Sequence, residues 1–338
     1  MTIGNLMLDL EGIQLSAEEQ ELLQHPQVGG VIFFARNYYS AEQITELVAQ
    51  VRASTKRPLL LAVDHEGGRV QRFRSEFTTL PPIAQLGQSY NDDPLAARQA
   101  AQRLGWLMAA EIRAIDIDFS FAPVLDLDYG SSSVIGDRAL HQDANAVTAL
   151  AAAYIDGMHQ AGMAATGKHF PGHGYITTDS HHAIARDSRH LAAIQADDMR
   201  PFKALSQTLQ AVMPAHVIYE QVDSQPAVFS RIWLQDILRE QLGFNGVIVS
   251  DDLSMAGASW AGGYPERALA ALEAGCDLIL ACNNREGAIT ILDHDTLHSD
   301  PAAQKRLQAM QGQTFMNRSA LLDNDYWQQA VHSATALT

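Results

Sequence analysis

Gly162-Met-Ala-Ala-Thr-Gly-Lys-His-Phe-Pro-Gly-His-Gly-Tyr-Ile-Thr-Thr-Asp-Ser-His181 divides into two halves of opposite character. Up to Lys168 it is a short apolar run, which predicts a buried strand. From Lys168 to His181, one Lys, three His (His169, His173, His181), one Asp and two Gly share fourteen residues. That half is too polar for a core and too rich in Gly and Pro for a regular element. It reads as a loop held by a rigid scaffold, where catalytic groups tend to sit.

The same kind of strand recurs along the chain. Leu6–Leu10, Gly30–Phe34, Leu59–Asp64, Phe119–Pro123, Met163–Lys168, Ala211–Ala215, Val247–Asp251 and Asp277–Ala281 are short, apolar and mostly non-alternating. Parallel strands covered on both faces look like this. Helical patterns fill the gaps. Ser16-Ala-Glu-Glu and Ser40-Ala-Glu-Gln have the form of capping boxes, and Ala96–Ala114, Ala144–Gln160 and Leu191–Leu209 carry apolar residues at helical spacing. Ser230 caps a helix predicted to stop at Gly243, and Pro265 suits a first turn. Alternation of this kind predicts a single-domain (β/α)8 barrel of the TIM type over residues 1–338, its last helices (about 301–336) packed on the outside. The rival is a long doubly wound sheet, but no Gly-x-Gly-x-x-Gly follows the first strand and no linker interrupts the chain. The connections at roughly 65–115 and 124–162 exceed one helix, on the side where barrel enzymes build their sites.

Composition narrows the partners. A net charge of −16 argues against a nucleic-acid backbone as partner, which would demand basic patches, and no Lys/Arg cluster suggests an anionic membrane surface. No apolar run approaches the ~20 residues of a membrane span, and the first residues, Met-Thr-Ile-Gly-Asn-Leu, lack the basic start of a secretory signal. Cys276 and Cys282 flank one predicted strand, on the order of 20 Å apart and too far to bridge. A soluble cytoplasmic protein with two free thiols is expected, acting as a monomer.

In a barrel, polar groups at C-terminal strand ends share one mouth. Asp64 ends the third strand, Asp126 lies beyond the fourth, and Lys168 and His169 end the fifth. His216 follows the sixth, Asp251 and Asp252 end the seventh, and Asn283 and Asn284 follow the eighth. Asp64 could merely cap the helix after it, but Gly67-Gly68 allows a ligand to approach the backbone closely. Arg72 and Arg138 lie in the two long loops over the mouth, which favours ligand contact. Lys168 could instead be a buried lysine satisfied by carboxylates. His173 and His182 read as structural or solvated.

A metal site is the natural competitor for a His-rich loop. His169 and His173 stand four apart, but Pro171-Gly172 between them prevents a helix, and no His-x-His pair marks an early strand. No metal and no cofactor are expected. A Schiff-base aldolase on Lys168 needs a low-pKa amine in a dry pocket, which the adjacent His and carboxylates suit poorly. The remaining chemistry is acid/base plus nucleophile. Asp251 or Asp252 supplies a carboxylate on a rigid strand end. Asp179 and His181, two residues apart, can support each other as a proton-transfer pair. A carboxylate opposite such a donor suits glycoside hydrolysis with retention.

At these residues the chain resembles the cytoplasmic β-N-acetylglucosaminidases of glycoside hydrolase family 3. Gly167-Lys-His-Phe-Pro-Gly-His-Gly with Asp179-Ser-His181 looks like their signature. Val63-Asp-His-Glu-Gly-Gly-Arg-Val-Gln-Arg-Phe, Phe121-Ala-Pro-Val-Leu-Asp, Met213-Pro-Ala-His and Ser250-Asp-Asp-Leu-Ser-Met agree with it, in order, over roughly residues 5 to 320. The resemblance implies removal of non-reducing terminal N-acetylglucosamine from muropeptides (GlcNAc-1,6-anhydroMurNAc peptides) during peptidoglycan recycling. It implies Asp251 as nucleophile, His181 as acid/base with Asp179 as its partner, and Asp64, Arg72, Arg138, Lys168 and His169 as sugar-binding groups. Ile135-Gly-Asp-Arg-Ala-Leu departs from the family pattern, which has an aromatic where Leu140 stands. A phosphorylase using the same residues remains a rival, since a neutral His repels incoming phosphate less than a carboxylate would.

Overall fold

The computed structural model describes residues 2–176, 184–294 and 300–337. Eight parallel strands form the centre: β1 (Leu6–Asp9), β2 (Val28–Phe33), β3 (Leu60–Val63), β4 (Phe119–Ser120), β5 (Thr166–Phe170), β6 (Ala211–Pro214), β7 (Val247–Asp252) and β8 (Leu278–Ala281). Their order around the sheet is β4-β3-β2-β1-β8-β7-β6-β5. Its two edges meet beyond β4, where Val124 bridges Lys168 in parallel, Thr166 N–H donates to Ala122 O at 2.8 Å and Leu125 N–H to Lys168 O at 2.7 Å. The sheet is thus a near-closed barrel, as expected from the alternation of strands and helices.

All eight predicted strands are present, with shifted ends. Pairing with β6 continues through Phe170↔Pro214, so Lys168, His169 and Phe170 belong to the strand and the loop begins after them. β2 starts earlier, at Val28, where a register shift against β1 accommodates Gly29. A Cβ at Gly30 would come within 2.3 Å of Leu60 O, so only glycine allows β2 to lie this close to β3. Met7, Val31, Leu61, Phe119, Ile248 and Ile279 are wholly buried among the inner and outer layers. Burying each such side chain contributes about 1.5–3 kcal/mol.

The caps follow the sequence with one exception. Ser16 and Glu19 form the reciprocal box. Ser40 accepts from Gln43 N–H, but the Gln43 side chain receives its bond from Tyr39 N–H instead of Ser40. The helix predicted at Leu191–Leu209 is two helices, Leu191–Ala196 and Met199–Leu205. Pro201 removes an N–H and its ring would clash with the carbonyl of Asp197, which breaks the run there. Ser230 caps the helix Ile232–Gln241 by accepting from Trp233 N–H, and Gly243 (φ +68) follows its end.

At the C-terminal end of the chain, Asp325–Thr335 packs on the outside against the long helix Pro94–Arg113. Tyr326 meets Trp106 edge-to-face at 4.5 Å, and Trp327 Nε1 donates to Glu111 at 3.0 Å. Both cysteines are buried and unbridged. Among the described residues no helix is long and apolar enough to cross a membrane.

Candidate active site

Past Val63 the chain leaves the barrel and doubles back as a two-stranded ribbon, His65–Gly67 against Val70–Gln71. Gly67 (φ +110) and Gly68 (φ +54) make its turn, and a Cβ on Gly67 would lie 2.5 Å from Pro81 O. These glycines permit a close approach to Leu80–Pro82. Extended chain puts residues i and i+2 on one side, so Glu66 joins Asp64 at the mouth.

Lys168, on β5, reaches both carboxylates: Nζ is 3.0 Å from Asp64 Oδ1 and 2.6 Å from Glu66 Oε1. Arg138 binds Glu66 through two bonds of 2.8 Å, and Arg72 lies 3.1 Å from Asp64 Oδ2. Two carboxylates thus hold three cations in fixed positions. Burial pushes the Glu66 carboxyl up, but Arg138 and Lys168 outweigh it and hold it down at about 2. Asp64 is likewise held well below the usual carboxylate range, burial being overcome by Lys168 and then Arg72. Burial would lower the Lys168 amine, yet Asp64 and Glu66 raise it. A Schiff-base lysine needs the opposite, a depressed pKa and a free lone pair. The alternative of a buried, carboxylate-satisfied lysine describes Lys168 correctly, while leaving it on the cavity wall.

His169 is fixed from behind. Its Nδ1 lies 2.7 Å from Asp126 Oδ2, and its N–H donates to Asp126 Oδ1 at 3.1 Å. His173 N–H adds a third bond to Oδ1 at 2.7 Å, and its ring packs edge-on to His169 at 5.9 Å. Burial, then the neighbouring His169, drive the His173 imidazole down to about 4, so it is neutral in the folded protein. A structural place suits it, as expected.

Asp251 and Asp252, inseparable by sequence pattern, have different surroundings. Asp252 is saturated: it accepts from Ser254 N–H (2.9 Å), Ser254 Oγ (2.6 Å), Cys282 N–H (3.1 Å) and Asn283 Nδ2 (3.3 Å). Asp251 takes the Asp252 N–H at 2.8 Å on Oδ1 and otherwise faces the cavity. Burial raises both carboxyls. For Asp251 the His169 and His216 imidazoles overcome it and the net shift is downward, whereas Asp252 stays raised. An ionised carboxylate with an uncommitted oxygen is the better nucleophile.

A cavity of about 530 Å³ opens between these groups. Asp64, Arg72, Arg138, Lys168, His169 and Asp251 all line it, over an apolar floor that includes Phe121, Met213 and Leu280. Six of the eight sequence-predicted site residues therefore meet in one place. Asp179 and His181 lie outside the described residues. Sequence pattern places Asp126 at the mouth without giving it a role, and it does not single out Glu66, although Glu66 sits two positions from Asp64 on extended chain. Leu140 is buried, and the Arg138–Glu66 pair is intact beside it. Among the described residues no group of three or more His, Cys, Asp or Glu is arranged to hold a metal.

Comparison with known proteins places the chain. Residues 3–312 match the glycosyl hydrolase family 3 N-terminal domain. The β-hexosaminidase of Tolumonas auensis is 57% identical over 304 residues, 89% of each chain. The crystal structure of NagZ from Neisseria gonorrhoeae in complex with N-trifluoroacetyl-D-glucosamine superposes with a TM-score of 0.95 at 42% identity, covering 100% of this chain and 98% of that one. A family 3 β-N-acetylglucosaminidase from a Paenibacillus species gives 0.86 at 31% identity, over 98% and 67% of the two chains.

Proposed function

The chain belongs to glycosyl hydrolase family 3, and from that premise we propose that it is a β-hexosaminidase that releases non-reducing terminal β-linked N-acetylglucosamine from muropeptides, with retention of configuration. The observation that carries the site assignment is the contrast at the end of β7. Both carboxylates there line the cavity, but Asp252 is tied up by four donors, while Asp251 accepts the Asp252 N–H alone and keeps its second oxygen for the cavity shared with Asp64, Lys168, Glu66 and Arg138. Relatives of similar length carry the β-hexosaminidase name.

Each group has a task. The fixed charges of Asp64, Arg72 and Lys168 hold sugar hydroxyls, and Arg138 and His169 complete the grip. Because Glu66 engages Arg138 and Lys168 from behind, those cations cost no reorganisation when the sugar arrives. Asp251 attacks C1 as the ionised form, and the C1–O bond breaks as His181 donates its proton to the leaving oxygen. A glycosyl-enzyme ester on Asp251 results. Neutral His181 then takes a proton from water, which displaces Asp251 and restores the β configuration. Asp179 orients His181 and stabilises its charged form. The unit acts as one barrel in the cytoplasm, without a metal or cofactor.

A fluorogenic N-acetyl-β-glucosaminide assay tests this. Turnover by the wild type, lost in Asp251→Ala and in His181→Ala, is expected. Near-normal turnover by Asp251→Ala would remove the nucleophile assignment.

A further inference from the structure

A second cavity opens at the mouth of the barrel beside the first. It holds about 270 Å³ past the ends of β8, β1 and β2, and is lined by Asp9, Glu11, Arg36, Asn283, Asn284 and Arg285. The two cavities share a wall. Asn283 lines both, and Arg36 lies 4.5 Å over the ring of Phe34, which lines the first. Three bonds fix that wall: Asn283 donates its N–H to Asp9 Oδ2 at 2.7 Å and its Nδ2 to Asp252 Oδ2 at 3.3 Å, and it accepts from Arg36 Nη1 at 2.9 Å. Asp252 adjoins Asp251, so the second cavity begins one side chain beyond the strand end assigned to the reacting carbon.

Two guanidinium groups converge there on one residue. Arg36 pairs with the Asp9 carboxylate, while Arg285 donates Nη2 to the Asp9 carbonyl at 3.1 Å and to Glu19 at 2.9 Å. A guanidinium has five N–H groups. Arg36 commits three, to Leu10 O, Asn283 and Asp9, and its side chain is 36% exposed. Arg285 Nη1 has no hydrogen-bond partner among the described residues. Donors left over on two fixed cations suit a carboxylate. Glu11 stands at the lip, 74% exposed and 3.9 Å from Arg285 Nε, where it suits an ammonium. With two cations and two anions on its wall, the cavity favours a segment of both charges over a simple anion. Its volume falls below the ~300 Å³ at which small-molecule sites begin, which fits one arm of a larger ligand.

We propose that the second cavity is a leaving-group subsite that takes the peptide arm of the substrate, with a carboxylate on Arg36 and Arg285 and a free amine on Glu11. The inference deepens the hexosaminidase reading and rests on it. Sugar binding and bond cleavage stay in the first cavity. The second adds transition-state binding only where the leaving group carries a peptide.

The full-length enzyme is assayed on the fluorogenic N-acetyl-β-glucosaminide, on GlcNAc-1,6-anhydroMurNAc, and on that disaccharide carrying a peptide with a free amine and a free carboxylate. For the wild type, kcat/KM with the peptide-bearing disaccharide should exceed that with the peptide-free one by about ten-fold. Arg36→Gln should remove most of that advantage. The ratio is the readout, because a structural defect lowers every rate together and leaves the ratio in place. Glu11→Gln, at an exposed side chain, covers the case of an Arg36 variant that does not fold, and should lower the ratio by about three-fold. No peptide advantage in the wild type, or an advantage undiminished by either substitution, would overturn the subsite while leaving the hexosaminidase reading intact. Failure of the wild type to cleave the fluorogenic substrate would instead remove that reading, and the subsite with it.

Discussion

Replacing Glu66 by Gln keeps the shape of the side chain and deletes the charge that Arg138 and Lys168 share. Both cations are nearly inaccessible, with side-chain exposures of 12% and 3%, and Glu66 itself is at 4%. The size of the effect follows from the carboxyl. Its ordinary value of 4.5 falls to about 2 in the folded protein, and at 1.36 kcal/mol per pH unit that difference is worth about 3 kcal/mol. The loss of about 3–5 kcal/mol seen when one member of a buried pair is removed brackets the same figure. With an unfolding entropy of ~2.1 cal/mol/K per residue, a chain of this length would lose about 4 °C in Tm.

The pH dependence gives a sharper signature. A depressed carboxyl stabilises the fold above its unfolded value near 4.5, and that stability is lost as pH falls towards about 2. Urea unfolding of wild type and Glu66→Gln should therefore differ by about 3 kcal/mol at pH 7, and by roughly half that near pH 3.3. In the sugar assay the variant should show a raised KM, because Lys168 and Arg138 lose the group that fixes them. A difference below about 1 kcal/mol at pH 7, or one that is unchanged at pH 3.3, would refute the claim that Glu66 organises this lattice.

Other perturbations reach the remaining parts of the molecule. His65 is wholly buried beside Phe73 and Phe77, and burial, then Arg74, drive its imidazole down to about 3. A lowered histidine costs stability as pH falls below its unfolded value near 6.5, so His65→Phe should gain on the wild type by on the order of 3 kcal/mol between pH 7 and pH 4 in urea unfolding. Arg189 sits between the fully buried Asp187 and Asp198 and stacks on Tyr175 at 4.1 Å. Arg189→Met leaves both carboxylates without it and should destabilise by about 3–5 kcal/mol. Asp251→Asn should lower kcat by on the order of 10³-fold or more, about 4 kcal/mol of barrier, while Asp252→Asn, which keeps its Ser254 contacts in part, should lose far less activity and more stability. Sodium borohydride with a carbonyl compound should leave Lys168 unmodified by mass spectrometry, because its amine stays protonated between Asp64 and Glu66.

The barrel was legible because each strand is a short apolar run and each carries its polar residue at the same end. Asp64, Lys168, His169 and Asp251 meet for that reason, being delivered by neighbouring positions on one ring. Where the strands end was less legible, since strand ends depend on pairing: Phe170 extends β5 only because Pro214 lies beside it. The break at Asp197–Asp198 was visible in Pro201 but hidden by the apolar spacing around it. Glu66 acts through other side chains, so nothing in its own sequence neighbourhood separates it from an ordinary buried carboxylate, and Asp126 was legible only as a polar group beyond the fourth strand, its bonds to His169 and His173 being set by the fold. Residue chemistry alone left Asp251 and Asp252 level and only the family resemblance favoured Asp251; the physical difference between them lies in hydrogen-bond partners just past β8, which no local pattern encodes.

Double displacement through Asp251 has a direct readout in the anomeric configuration of the first-formed sugar. ¹H NMR of an N-acetyl-β-glucosaminide during early turnover, before mutarotation, should show β-N-acetylglucosamine appearing first and the α anomer only later. An α product at the earliest time points would contradict a glycosyl-enzyme on Asp251.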